Sequence, residues 1–161
     1  MSAPAPGEPG FEAWLDQVRR SIDLRIDEDG RWWHEGEPFV NQRLRDYFDG
    51  NLDVHPESGE PILRVGDKWC YVRVDDTAFF VDRFKIEGER LLAVLNTRGR
   101  WPVPGDGFVI HGERAYVTLA PHRRARLTRR AWHQLGEWLE EGPEGVQVAV
   151  AGRRWPVRLE G

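Results

Sequence analysis

The sequence predicts an α+β fold, mostly antiparallel β-hairpins with two or three helices in two structurally related halves. Three observations predict it. Short alternating apolar and polar runs lie between glycine- and aspartate-rich turns. Apolar residues recur at helical spacing in only three places. A hairpin followed by a helix occurs twice.

The first ten residues, MSAPAPGEPG, lack a basic region and an apolar run, and read as a flexible tail and not as a signal peptide. Phe11, Trp14, Leu15 and Val18 then recur as one side of a short amphipathic helix. Ile22, Leu24 and Ile26 alternate with Asp23, Arg25 and Asp27, as a strand does, and enter the stretch RIDEDGRWWHEG at 25–36. Read as a calcium loop from Arg25, it offers Asp27, Asp29 and Gly30 in the right places. A cation at its first position and Gly36 at its twelfth remove both ends of the cage. A hairpin turning on Asp29-Gly30 fits better, since that dipeptide suits a two-residue type I′ turn. That register sets Ile26 opposite Trp33 and Asp27 opposite Trp32, with Trp33 on the core face.

Val40, Leu44, Tyr47 and Phe48 follow the pattern of a helix with one buried stripe, capped by Asn41 and ended at Gly50. From 52 to 119 strand follows strand, broken by HPESGE, VGDK, VDDT, IEGE, NTRG, PGDG and HGER. A helix over 129–141 carries Trp132, Leu135, Trp138 and Leu139 on its apolar side and stops at Gly142-Pro143. The last hairpin, 146–151 with 154–159, turns at Gly152-Arg153. The two hairpin-then-helix units cover 22–49 and 108–141, with Gly30 and Gly112 82 residues apart and the caps Asn41 and Thr128 87 apart. The expected organisation is a tail over 1–10, an N-terminal subdomain over 11–76 and a C-terminal subdomain over 77–161.

With 161 residues, 23 basic against 27 acidic and a net charge of −4, the chain lacks the dominant basic balance of a nucleic-acid binder. One cysteine, Cys70, excludes an internal disulfide and a multi-cysteine metal site. No apolar run is long enough to span a membrane. The expectation is a cytoplasmic protein with neither a nucleic-acid polymer nor a membrane as partner.

Catalytic signatures are missing. Ser2, Ser21 and Ser58 lie outside any G-x-S-x-G elbow, no phosphate-binding G-x-x-x-x-G-K-[ST] loop exists, and His34-Glu35 does not extend to H-E-x-x-H. His55, His111, His122 and His133 have no ligand spacing, so neither a metal nor a cofactor is expected. Cys70 reads as a buried structural thiol, with a redox-sensing thiol as the sharper alternative. Asp75-Asp76 reads as a turn, because neighbours in a strand point oppositely and could not act as a catalytic pair.

One stretch carries chemistry. APHRRARLTRR, at 120–130, holds five arginines and His122 without an acid. Pairing with surface acids is one reading. The other is an anion site, with Arg123, Arg124 or Arg126 beside the free N–H groups of a helix start. Eight tryptophans, two of them in RGRWPV and GRRWPV, would serve a core, a subdomain interface or a stacking surface.

The ordered segments SIDLRI, DGRWWHEGEPF, DKWCYVRVDDTAFF and ARLTRRAWHQL, beginning at Ser21, Asp29, Asp67 and Ala125, resemble the bacterial domain of unknown function 1285 family over nearly the whole chain. The resemblance implies a duplicated α+β core, a C-terminal half similar to a pleckstrin-homology barrel, and a small-ligand site, for instance for a nucleotide, between the halves. It also implies a signalling role. By position it brings in Lys68, Trp69, Asp75 and Asp76. This chain has Thr77-Ala78 where the family usually has Ala-Pro, and keeps only Asn96 of a Thr-Asn pair. The function expected is a non-enzymatic binding module for a small anionic or nucleotide-like ligand, held by Lys68, Trp69, Asp76, Asn96, Arg123, Arg124 and Arg126. The alternatives are a protein-interaction domain, or an enzyme on a phosphorylated or carboxylated metabolite with Asp76 or a histidine as general base.

Overall fold

The computed structural model describes residues 3–161. Met1 and Ser2 of the expected tail lie outside the described residues. From Ala5 the chain turns, with Ala5 N–H on Glu8 Oε2 and Phe11 N–H on the Glu8 carbonyl. The fold divides into two compact units, one ending at Asp76 and one spanning Thr77–Gly161.

The first unit begins with α1 (Phe11–Ser21) and a meander of β1 (Leu24–Ile26), β2 (Trp32–His34) and β3 (Glu37–Pro38). Then come α2 (Gln42–Gly50), a second meander of β4 (Leu52–Val54), β5 (Pro61–Val65) and β6 (Lys68–Tyr71), and β7 (Arg73–Val74). The last strand returns to lie parallel to β1, giving one sheet of order β3-β2-β1-β7 and another of order β4-β5-β6.

The first hairpin is present, but its register differs from the expected one. Asp27 N–H bonds to the Arg31 carbonyl and Gly30 N–H to the Asp27 carbonyl, so three residues turn the chain, with Gly30 at φ 84°. The Asp27 carboxylate selects this longer turn by accepting from Asp29 N–H, Arg31 N–H and Trp33 Nε1, each at 2.9 Å. Burial pushes the Asp27 carboxyl up, but these donors outweigh it and hold it below the usual range. The extra turn residue slips the register by one and exchanges the faces. Ile26 pairs with Trp32, which is wholly buried, while Trp33 stands outward with the Arg25 guanidinium 5.2 Å from its ring centroid.

Asn41 caps α2 as expected, its Oδ1 accepting from Arg43 and Leu44 N–H. The stripe expected to be buried is not. Val40 is 91% exposed, Leu44 42% and Tyr47 52%, and only Phe48 turns inward, edge-on to Trp32 at 5.3 Å. Helix α1 also has no buried residue; Tyr71 of β6 donates to Asp16 at 2.9 Å and Arg20 lies 3.9 Å over the Tyr71 ring. Hydrogen bonds from Arg20 and then from Tyr71 hold the Asp16 carboxyl below its usual range.

The second unit opens with a meander of β8 (Phe79–Glu87), β9 (Arg90–Leu95) and β10 (Arg100–Pro102). A further meander follows, of β11 (Phe108–His111), β12 (Arg114–Ala120) and β13 (Arg123–Leu127), then α3 (Arg129–Gly136). The chain continues through β14 (Leu139–Gly142), β15 (Gly145–Val150), β16 (Arg153–Pro156) and β17 (Arg158–Glu160). Seven strands form one sheet in the order β10-β9-β8-β13-β12-β11-β17, with β8 parallel to β13 and β11 parallel to β17. Its end strands β10 and β17 are not paired with each other, so the sheet stays open and does not form the expected barrel.

Helix α3 ends at Gly136 and not at 141. Residues 139–142 are drawn into an antiparallel ladder with β15, where Glu140 meets Gln147 and Arg154. Trp132, expected on the buried side, is 39% exposed, whereas Leu135 is buried. The last hairpin turns at Ala151-Gly152, one residue early, because both take positive φ, 55° and 71°.

The two halves share one wiring. Each has a three-strand meander, a helix, a second three-strand meander and a strand returning parallel to the first. The orders β3-β2-β1-β7 and β13-β12-β11-β17 match term by term, and β8–β10 extend the second unit only.

Two outcomes check this account. Trp32→Ala should cost about 3–5 kcal/mol in urea unfolding and Trp33→Ala about 1 kcal/mol; the opposite ranking would restore the two-residue turn. Because Asp16 has a depressed pKa, its contribution to α1 docking is present above the ordinary aspartate value of about 3.9 and lost as pH falls through its lower folded value. Intrinsic-rate-corrected hydrogen exchange of α1 should therefore show protection above the ordinary aspartate value that fades as pH falls through the lower folded value, and Asp16→Asn should remove that dependence.

Candidate functional site

Strand β13 separates its residues by alternation. Ala125 and Leu127 are buried, while Arg124 and Arg126 project to the other face, where Arg126 pairs with Tyr116 of β12 and Phe80 of β8. The chain then passes straight into α3 through Thr128. The Thr128 hydroxyl accepts from Ala131 N–H at 3.2 Å and donates to the Val81 carbonyl at 2.9 Å, tying the helix start to β8. Gln134 adds a second tie, donating to the Phe84 carbonyl and accepting from Phe84 N–H at 2.7 Å.

This junction shapes a cleft of about 230 Å³. Glu113, Arg114 and Ala115 from the start of β12, Arg126 and Leu127 from the end of β13, and Thr128, Arg129 and Trp132 from α3 line it. Its lining thus holds three arginines and one glutamate. The cleft also meets the first turn of α3, where the backbone N–H groups of Arg129 and Arg130 precede the first intrahelical bond and the helix dipole is positive. The surrounding unit adds a broader bias: it holds 14 basic and 10 acidic residues, a net of +4, against 9 and 17, a net of −8, in the first unit. Such an arrangement favours a phosphate or carboxylate.

The other arginines of this segment are held differently. Arg124 donates to Glu160 at 3.1 Å, lies 4.3 Å from the Tyr116 ring centroid, and keeps its Nε buried without a hydrogen-bond partner. That contact from Arg124 holds the Glu160 carboxyl below its usual range. Arg123 lies over Trp101 at 4.8 Å and Phe79 at 5.1 Å. Asn96 accepts from Phe80 N–H at 3.0 Å and donates to the Ala78 carbonyl at 3.1 Å, so its amide fixes the start of β8.

Lys68, Trp69 and Asp76 belong to the first unit. Lys68 is exposed at the start of β6, and Asp76 is half-buried in the bend after β7. The neighbouring Asp75 bonds to Arg25 at 2.6 Å. The Trp69 ring is occupied on the protein side: the Arg19 guanidinium stacks 3.9 Å from its centroid, with His55 at 5.3 Å and Tyr71 at 5.2 Å. Cys70, between those two aromatics, is buried, and burial pushes its thiol up, which suits a structural and unreactive sulfur.

The residues that sequence reasoning missed are Arg114, Arg129 and Trp132 as members of one cleft. Only the β12–β13 register brings Arg114 beside Thr128, and the one available signal was the arginine pair at the expected helix start.

No family model and no curated protein matches this chain. Two solved structures do. A domain of unknown function 1285 family protein from Silicibacter pomeroyi superposes with a TM-score of 0.66 at 18% identity, over 98% of this chain and 89% of its own. A protein of the same family from Shewanella baltica gives 0.56 at 15% identity, over 73% of this chain and 92% of its own. At these identities the likeness is one of fold. Both solved structures come from the family that the sequence segments resemble.

Proposed function

We propose that the protein is a non-catalytic binding module for a small anion, held at the cleft where β13 enters α3. The observation that carries this reading is the convergence of Arg114, Arg126 and Arg129 on one cavity with the first turn of α3. Arg126 was a candidate from the sequence, and the cleft gives it company. At about 230 Å³ the space is below the range of pockets that enclose drug-sized ligands, about 300–1,000 Å³. It would hold the phosphoryl or carboxylate end of a ligand, with the half-exposed Trp132 beside whatever flat or apolar group follows. A signalling role accords with a module that binds without reacting. Arg123, Arg124 and Asn96 support the scaffold in this reading, and Lys68, Trp69 and Asp76 are not needed for the anion.

A second reading, a protein-interaction domain, is favoured by a different observation: the exposed apolar stripe of Val40, Leu44 and Tyr47 on α2.

Thermal shift against inorganic phosphate, phosphate monoesters and dicarboxylates separates the two. A ligand at 100 times its dissociation constant adds about 2.7 kcal/mol, a rise of roughly 5–10 °C for a chain of this size. Arg126→Ala and Arg129→Ala should each weaken that ligand by about 1.5–3 kcal/mol. An anion shift that survives both substitutions would move the site elsewhere. The absence of any shift would favour the interaction domain.

A further inference from the structure

A different contact, within the first unit, has the form of a bound ligand. Helix α1 carries Phe11, Trp14, Leu15 and Val18, yet none of its residues is buried. Beside the Tyr71–Asp16 hydrogen bond, a pair of consecutive arginines joins it to β6. Arg19 stacks on Trp69 and Arg20 on Tyr71, each with its guanidinium carbon 3.9 Å from the ring centroid. Arg20 also makes a forked contact with Glu60, at 2.9 and 3.3 Å, and donates to Asp16 at 2.9 Å. Two stacked guanidiniums and a forked carboxylate form a specific recognition set, which lysine could not reproduce. The supporting charges are all partly exposed, with Arg20 and Glu60 side chains 48% and 41% accessible, so the attachment is weak and screened by salt. The unit's net charge of −8 attracts cationic segments.

We propose that the face of β6 formed by Trp69 and Tyr71, with Glu60 at its edge, is a docking site for a peptide segment bearing two adjacent arginines, and that α1 is its resident, displaceable occupant. A partner presenting such a pair competes with Arg19 and Arg20 for the same rings and the same carboxylate. Displacement frees α1 and its apolar side. The inference is independent of the anion cleft, which lies in the other unit.

The test uses the full chain and a synthetic peptide of residues 9–22, PGFEAWLDQVRRSI. In an Arg19→Ala/Arg20→Ala chain the resident arginines are gone from both rings and from Glu60, and calorimetric titration should show the peptide binding at least tenfold tighter than to the wild-type chain. The same peptide with both arginines replaced by lysine should lose that binding. Gln17→Pro provides a second opened chain, since proline in mid-helix undoes α1 while leaving its arginines in the sequence. It decides the matter if the double variant loses its native circular dichroism. The proposal is overturned if a folded, opened chain takes no peptide, or if it takes the lysine peptide equally well.

Discussion

The parallel pairing of a returning strand with the first strand of its unit is the constraint on which the rest depends. β7 is only two residues long, yet it lies along β1 through the Arg25–Arg73 and Ile26–Val74 pairs, and Asp75 N–H reaches the Ile26 carbonyl. Side chains reinforce that short ladder, with Arg25 on Asp75 and Arg73 on Asp23. β17 does the same along Val109, Ile110 and His111 of β11. A parallel pair cannot be joined by a tight turn. The intervening chain must cross over, and in both units it does so as a helix and a meander. Once that closure is fixed, where each helix begins is fixed too.

The cleft follows from this wiring. Thr128 is the only residue between β13 and α3, so the last strand arginine, Arg126, and the first helix residue, Arg129, come close without a loop. Thr128 is both the cap of α3 and a hydrogen-bond donor to β8, which leaves the junction little freedom. The antiparallel register of β12 then delivers Arg114 to the same spot. In the first unit the equivalent cap, Asn41, has the exposed Val40 and Leu44 beside it. The same scaffold therefore presents a basic cleft in one unit and an exposed apolar stripe in the other.

Most of the strands, all three helices, both caps and the repeated hairpin-then-helix plan were legible in the sequence, because alternation, helical spacing and Asn or Thr before a helix are local signals, but 158–160, expected to continue the last hairpin, leave it to pair with β11. What escaped was set by partners far along the chain. The Asp29-Gly30 dipeptide suggests a two-residue turn, but the Asp27 carboxylate binds Asp29 and Arg31 N–H and makes it three, exchanging the roles of Trp32 and Trp33. Glu137–Glu141 contains good helix formers, yet the backbone of 139–142 gains a ladder with β15, and tertiary pairing overrides propensity. Arg114 could join Arg126 only through strand register, and Arg19–Trp69 spans fifty positions with no periodicity to reveal it.

The central claim is that a small anion is held where β13 meets α3. An amide chemical-shift titration of the isotopically labelled protein with inorganic phosphate, at constant ionic strength in a chloride buffer, tests it most directly. Saturable shifts concentrated at 113–115 and 126–132 are the predicted result. Shifts that do not saturate, or that centre on other residues, would contradict it.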